Sequence, residues 1–236
     1  MRPKEMLEMN DHLSMRVESL PNLREQVVER LRLAIASGRF KPGARLVERE
    51  LCEMMGVSRT SLREALRELQ ADGLISAQPN RGLSVSVISR KEAEGIYEVR
   101  AVLEGLAARL FARHASDSDM KALHRSIDRL EKVYSNFTPE AFIATKSEFY
   151  DILLRGAGNE TAAAMLRRIH TRASQLRVVS LSSSERAQRS IAELRAFMKA
   201  LEARDEDKAW KLCVSHVENA AKAALGVLGK TGNGAG

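Results

Sequence analysis

A chain of 236 residues with 44% apolar and 29% charged side chains can bury a real core as one large domain or two small ones. It has no apolar run near the roughly 18 residues a membrane span needs, and MRPKEMLEMNDHLSMR lacks the apolar centre of a signal peptide. Net charge is +7, yet residues 1–88 hold 14 Lys+Arg against 12 Asp+Glu, only +2, so a nucleic-acid contact there depends on cation placement and not on a bulk basic field.

Ala, Leu, Glu and Arg dominate and aromatics are only 4%, which favours helix. Cys52 and Cys213 lie far apart inside helical patterns and read as buried free thiols of a reducing cytoplasm. Residues 1–18 read as a flexible arm. From Asn22 to Ser37, Val27, Val28, Leu31 and Ile35 recur at helical spacing, and Gly38 marks the stop. KPGAR is a turn. Val47 to Met55 is a short helix closed by Gly56, and Ser58 caps a third helix that runs to Asp72 and ends at Gly73. LISAQ and LSVSV then alternate as two strands around PNRG.

Two short helices around the tight turn MGVS, hydrogen-bond donors opening the second of them, and a basic glycine-bearing hairpin form the pattern of a winged helix-turn-helix over residues 19–88. Ser58, Arg59, Thr60, Ser61 and Arg63 crowd a helix N-terminus, where free N–H groups and the dipole favour an anion such as phosphate. Arginine's planar fork suits guanine N7 and O6, while Ser and Thr hydroxyls suit phosphate oxygens. Competing partners for these arginines are Glu64 and Glu68, and for Arg49 they are Glu48, Glu50 and Glu53.

After Val87 no convincing strand remains. Ser89 and Glu92 have capping-box spacing, and six helices are expected at about 90–114, 117–135, 139–156, 160–181, 185–203 and 206–228. Ser116, Thr138 before Pro139, Asn159 and Asp205 are their start signals. GKTGNGAG, residues 229–236, reads as a disordered tail. The fold class is mainly α: a winged helix-turn-helix followed by an all-helical antiparallel bundle of six to seven helices over residues 89–228.

The segment VERELCEMMGVSRTSLREALRELQADGLISAQPNRG resembles the DNA-binding domain of the GntR family of bacterial transcription regulators. YEVRAVLEGLAARL, EFYDILLRGAGN and ALEARDEDKAWKLCVSH resemble the helical, FCD-type ligand-binding domain of its FadR subgroup. The resemblance implies a cytoplasmic homodimeric repressor on a palindromic double-stranded operator. Its DNA contacts would be Arg49, Ser58, Arg59, Thr60, Ser61 and Arg63, with Arg81 and Gly82 at the wing tip.

Many such relatives hold a divalent metal through one Asp and three His. Those positions here are Lys146, Tyr150, Leu194 and His216, so no metal and no cofactor are expected. Lys146 instead falls within an apolar stripe of Phe142, Phe149, Tyr150 and Leu153, and Arg100 lies between Ile96, Leu103 and Ala107. Arg100, Lys146, Tyr150 and His216 are therefore the candidate contacts to a small anionic effector, such as a carboxylate. The plainer alternatives are a snorkelling Lys146 or one paired with Glu104 or Glu148, an Arg100–Glu104 helix pair, and a satisfied core histidine at 216. Arg172 and Arg177 are weaker effector candidates, because RRIHTRASQLR also reads as a solvated face, and Asn159 reads as a cap. A regulator without an effector and a helical protein-interaction module are the competing functions. An enzyme is disfavoured, because no phosphate loop, nucleophile–base pair or metal cluster is spaced for chemistry.

Overall fold

The computed structural model describes residues 23–78, 82–180 and 184–232. The expected arm 1–18, the wing-tip residue Arg81 and the last four residues lie outside them. Among the described residues, the first half holds α1 (Leu23–Ala36), β1 (Arg45–Leu46), α2 (Glu48–Met55), α3 (Arg59–Ala71), β2 (Ile75–Gln78) and β3 (Gly82–Val85). The second half holds α4 (Arg90–His114), α5 (Asp117–Ser135), α6 (Pro139–Ala157), α7 (Glu160–Ser180), α8 (Ser184–Glu202) and α9 (Glu206–Gly232). No helix among them is long and apolar enough to cross a membrane.

Helix starts are written locally. Side-chain oxygens of Ser58, Ser89, Ser116, Thr138, Asn159 and Asp205 each accept the N–H three residues on, at 3.0–3.3 Å. The capping box at Ser89 is only half made. Glu92 donates its N–H to Ser89, but its carboxylate turns away to the guanidinium of Arg172 on α7. Between α2 and α3 the chain reverses through Gly56 at φ 66°, a left-handed conformation that side-chain-bearing residues resist.

The winged half buries Val27, Val28, Leu31 and Ile35 of α1 against Leu62, Leu66 and Leu69 of α3 and Ile75 and Val85 of the sheet. The sheet order is β1-β3-β2, all antiparallel, with Ile75 opposite Val85 and Gln78 opposite Gly82. β1 was not expected. Its two residues pair with Leu83 and Ser84 across a long loop and are too few to show alternation. β3 also stops at Val85, short of the expected LSVSV, and Val87 is exposed where the chain leaves the sheet.

The helical half packs around Phe111, Leu123, Ile127, Leu130, Phe149 and Leu166. α4 and α6 approach so closely that a Cβ at Gly156 would collide with the Phe111 ring. A smaller cluster of Ala93, Tyr97, Leu176 and Val217 joins α4, α7 and α9. Leu225 and Leu228 pack on that cluster, so α9 continues to Gly232, inside the stretch expected as tail. Both cysteines are free, Cys213 buried and Cys52 only half-buried.

Candidate nucleic-acid interface and interdomain cavity

The α3 start combines a buried apolar side with an exposed polar one. Leu62, Ala65, Leu66 and Leu69 point into the core, while Ser58, Arg59, Thr60 and Arg63 are exposed and Ser61 half-buried. Ser58 Oγ takes the Ser61 N–H, leaving the N–H groups of Arg59 and Thr60 without a helical carbonyl behind them. Arg63 pairs with Glu48 of α2 (Nε–Oε2 2.9 Å), not with Glu64 or Glu68 on its own helix. Glu68 is occupied by Arg32 of α1. Arg49 and Arg59 are exposed, and among the described residues neither has a hydrogen-bond or ion-pair partner. Gly82 opens β3 at φ 75° beside the undescribed wing tip. The arginine-bearing end of α3, Arg49 of α2 and Gly82 at the start of β3 are thus exposed on the winged half, away from its core.

In the helical half, Arg100 is buried and donates from Nε to Glu104 Oε1 at 2.7 Å and from Nη2 to the Tyr150 hydroxyl at 3.2 Å. Glu104 Oε1 also meets His170 Nε2 at 2.9 Å. Burial opposes its charge, but the Arg100 guanidinium and His170 hold the Glu104 carboxyl well below the usual carboxylate range. Burial, with Arg177 nearby, pushes His170 down to about 3, so its imidazole is neutral.

Lys146 is 4% exposed, with Nζ 4.5 Å from the Phe149 ring centre and 5.2 Å from that of Tyr150. Among the described residues its Nζ has no hydrogen-bond partner. Burial and the Arg177 cation bring its pKa down to about 7. Neither plain alternative holds for it: it does not reach solvent, and Glu148 is engaged by Arg129.

His216 Nδ1 meets Glu193 Oε2 at 2.6 Å, and Arg186 takes both oxygens of Glu193 at 3.0 and 3.1 Å. Burial lowers His216 to about 4 despite that carboxylate. The four expected effector residues do converge, around a void of about 20 Å³, room for a water and not for a metabolite.

A ligand-sized space lies just beyond. A cavity of about 540 Å³ separates α1 from α6 and α7. Leu33 and Ala36 of α1 form one wall, while Lys146, Tyr150, His170 and Arg177 line the other. Of the expected quartet, only Lys146 and Tyr150 reach it. His170 was missed, and Arg177 was only a weaker candidate. The solvated-face reading of Arg177 is wrong: it is 9% exposed, its guanidinium lies 4.4 Å from the Tyr150 ring centre, and burial lowers its pKa. Leu166, His170, Ala173 and Arg177 recur at helical spacing on one buried face of α7, a signal the surrounding charges hide. Asn159 is the cap it was expected to be.

The four positions that hold a metal in many helical domains of this kind do not fit one here. Leu194 carries no donor, Tyr150 offers a phenol that burial keeps protonated and that accepts from Arg100, and the Nε2 of His216 with an amine beside it does not complete a site.

Comparison with known proteins agrees with this layout. Residues 23–85 match the model of bacterial regulatory proteins, gntR family, and residues 95–219 match the FCD domain. The probable D-xylose utilization operon transcriptional repressor of Paenarthrobacter nicotinovorans is 30% identical over 198 residues, covering 81% of this chain and 84% of that protein. The uncharacterized HTH-type transcriptional regulator YdhC of Bacillus subtilis (strain 168) is 28% identical over 192 residues, 81% of this chain and 86% of that one. Among solved structures, E. coli McbR/YncC matches with a TM-score of 0.76 at 21% identity, over 89% of this chain and 98% of that one, a likeness of fold.

Proposed function

The chain belongs to the GntR family of bacterial transcriptional regulators and carries an FCD domain, and from that premise we propose that it is a homodimeric repressor of the FadR subgroup whose operator affinity is set by a small organic anion in the interdomain cavity. DNA contact falls to Arg49, Ser58, Arg59, Thr60, Ser61 and Arg63, with Arg81 and Gly82 at the wing. Arginines at an exposed helix start can read base edges, and the hydroxyls and free N–H groups position the helix on phosphates. The exposed Val99 and Val102, three apart on α4, supply an apolar strip for the second copy.

The observation that carries the effector reading is the cavity itself, ligand-sized and walled by both halves of the chain. Arg177 and Lys146 give it a basic floor, and Arg100 and Tyr150 support that floor from behind. α1 forms the far wall and is tied to α3 by Arg32, whose Nη2 bonds Glu68 at 3.1 Å and Asp72 at 2.6 Å. An occupant that pushes on Leu33 or Ala36 therefore pushes on the helix that meets DNA. It shifts the equilibrium only by its difference in affinity between the DNA-competent and incompetent arrangements.

A thermal-shift screen of carboxylates, followed by operator titration with each binder, tests the reading. A ligand at a hundred times its Kd adds about 2.7 kcal/mol to stability and should also change operator affinity. If binders are found but operator affinity stays constant, the effector reading fails and a regulator without one remains.

A further inference from the structure

Lys146 is a primary amine in surroundings hostile to an ammonium ion. Its Nζ is buried against two aromatic rings, and none of the described residues accepts a hydrogen bond from it. The carboxylates within reach are spoken for, Glu104 by Arg100 and His170, Glu148 by Arg129. Two guanidiniums, Arg100 and Arg177, line the same inner void as fixed cations. A charge so placed is costly, whereas a neutral amine is not. Lysines desolvated beside other cations are the ones that act as nucleophiles toward carbonyls.

Lys146 lines both the 540 Å³ cavity and the inner void behind it, so its amine stands where a rotation of its own side chain turns it toward a molecule bound in the larger space. We infer that Lys146 is a carbonyl-capturing residue, and that the anion taken by this cavity is a 2-oxo acid held as a reversible imine on Nζ with its carboxylate toward Arg177. The inference rests on the anion reading above and narrows it to one chemical class. In the step, the nitrogen lone pair forms a bond to the carbonyl carbon as the C=O π electrons move to oxygen. Both amine hydrogens then leave with that oxygen as water while the C=N bond forms, and no oxidant or reductant is needed. The Tyr150 phenol, kept protonated by burial and bonded to Arg100, can pass a proton to the departing oxygen.

The test uses the full-length protein with pyruvate or phenylpyruvate and cyanoborohydride, which reduces any imine to a stable amine, followed by peptide mapping. At neutral pH the amine is about half unprotonated, against well under ~1% for an ordinary lysine, so Lys146 should be modified on the order of a hundredfold faster than the other lysines. Its rate should level off above neutrality while theirs keeps rising. Lactate and phenyllactate, which lack the carbonyl, should slow the labelling and leave no adduct. No adduct at Lys146 with either probe, or one formed no faster than elsewhere, overturns the inference. Should that come with equal thermal stabilisation by oxo and hydroxy acids, only covalent capture falls. Without any stabilisation, the anion cavity falls too.

Discussion

Arg172 of α7 lays its guanidinium over the Gly73 turn: a Cβ at Gly73 would stand 3.1 Å from Arg172 Nε. The same guanidinium pairs with Glu92 in the first turn of α4, so one side chain touches the end of α3, the helix proposed to meet DNA, and the start of the bundle. α7 also carries His170 and Arg177 into the cavity.

Arg172→Ala is therefore expected to uncouple the halves. The pair is partly exposed and contributes only about 0–1 kcal/mol to stability, so Tm should change little. The ratio of operator affinities with and without effector should shrink toward one. A ratio equal to that of the parent protein would show that the coupling runs elsewhere, through α1 and Arg32.

Glu104 is the carboxylate between Arg100 and His170, and Glu104→Gln leaves the Arg100 charge buried without its counter-ion. Removing one partner of a buried pair costs roughly 3–5 kcal/mol. Denaturant unfolding at pH 7 should report a loss of that size. A loss below about 1 kcal/mol would mean that the Tyr150 hydroxyl and water already satisfy Arg100.

Much of this architecture is legible in the sequence because it is written locally. The capping residues and glycine stops locate the helices to within one or two residues, apart from the extra turn of α9. What stayed hidden was set at a distance. β1 exists only through its pairing with β3. Glu92 has the spacing of a capping box, but a more distant arginine takes its carboxylate. Arg177 sits in a charged string, and only the packing of α7 against α4 and α6 shows that it faces inward. Arg100, Lys146, Tyr150 and His216 share the inner void, but the larger cavity needs α1 as a wall, and no motif within the bundle announces a neighbour from the other domain.

The histidines give the chain an acid limb of stability. His170 and His216 titrate at about 3 and about 4 when folded and near 6.5 when unfolded. Between pH 6.5 and 4 the unfolded chain thus binds more protons, and stability must fall as pH falls. Each histidine contributes a slope of at most about 1.4 kcal/mol per pH unit. Denaturant titrations at pH 7, 6 and 5 should show the decline, and His216→Gln should make it shallower. Equal stability at pH 7 and 5 would mean that both imidazoles accept protons without unfolding.

Lys146 works in the same direction at higher pH. Its folded value of about 7 lies below the ordinary 10.4, so the unfolded chain binds more protons between those limits and stability rises with pH across them. Lys146→Met fills the same apolar slot without a charge and should raise stability at pH 7 by about 1–4 kcal/mol while removing the rise. It should also abolish the effector response. Elemental analysis of parent protein purified without chelator should find no stoichiometric transition metal, whose presence would reassign the site.

At the proposed DNA face, Arg59 and Arg63 are expected to behave differently although they are four residues apart. Arg59 has no partner to give up among the described residues, whereas Arg63 must first leave Glu48. Arg59→Ala should cost about 1–3 kcal/mol of operator binding if it reads a base, or flatten the log–log salt slope by about 0.9 if it holds a phosphate. Glu48→Gln releases Arg63 and removes a negative charge facing the duplex. An exposed pair is worth at most about 1 kcal/mol, so this change should tighten binding by up to roughly fivefold. In Arg63→Ala the same Glu48 substitution should keep only the small gain from lost repulsion. If Glu48→Gln tightens binding equally with and without Arg63, the released arginine is not a DNA contact, and the approach of α3 to the groove must be drawn again from Arg59 alone.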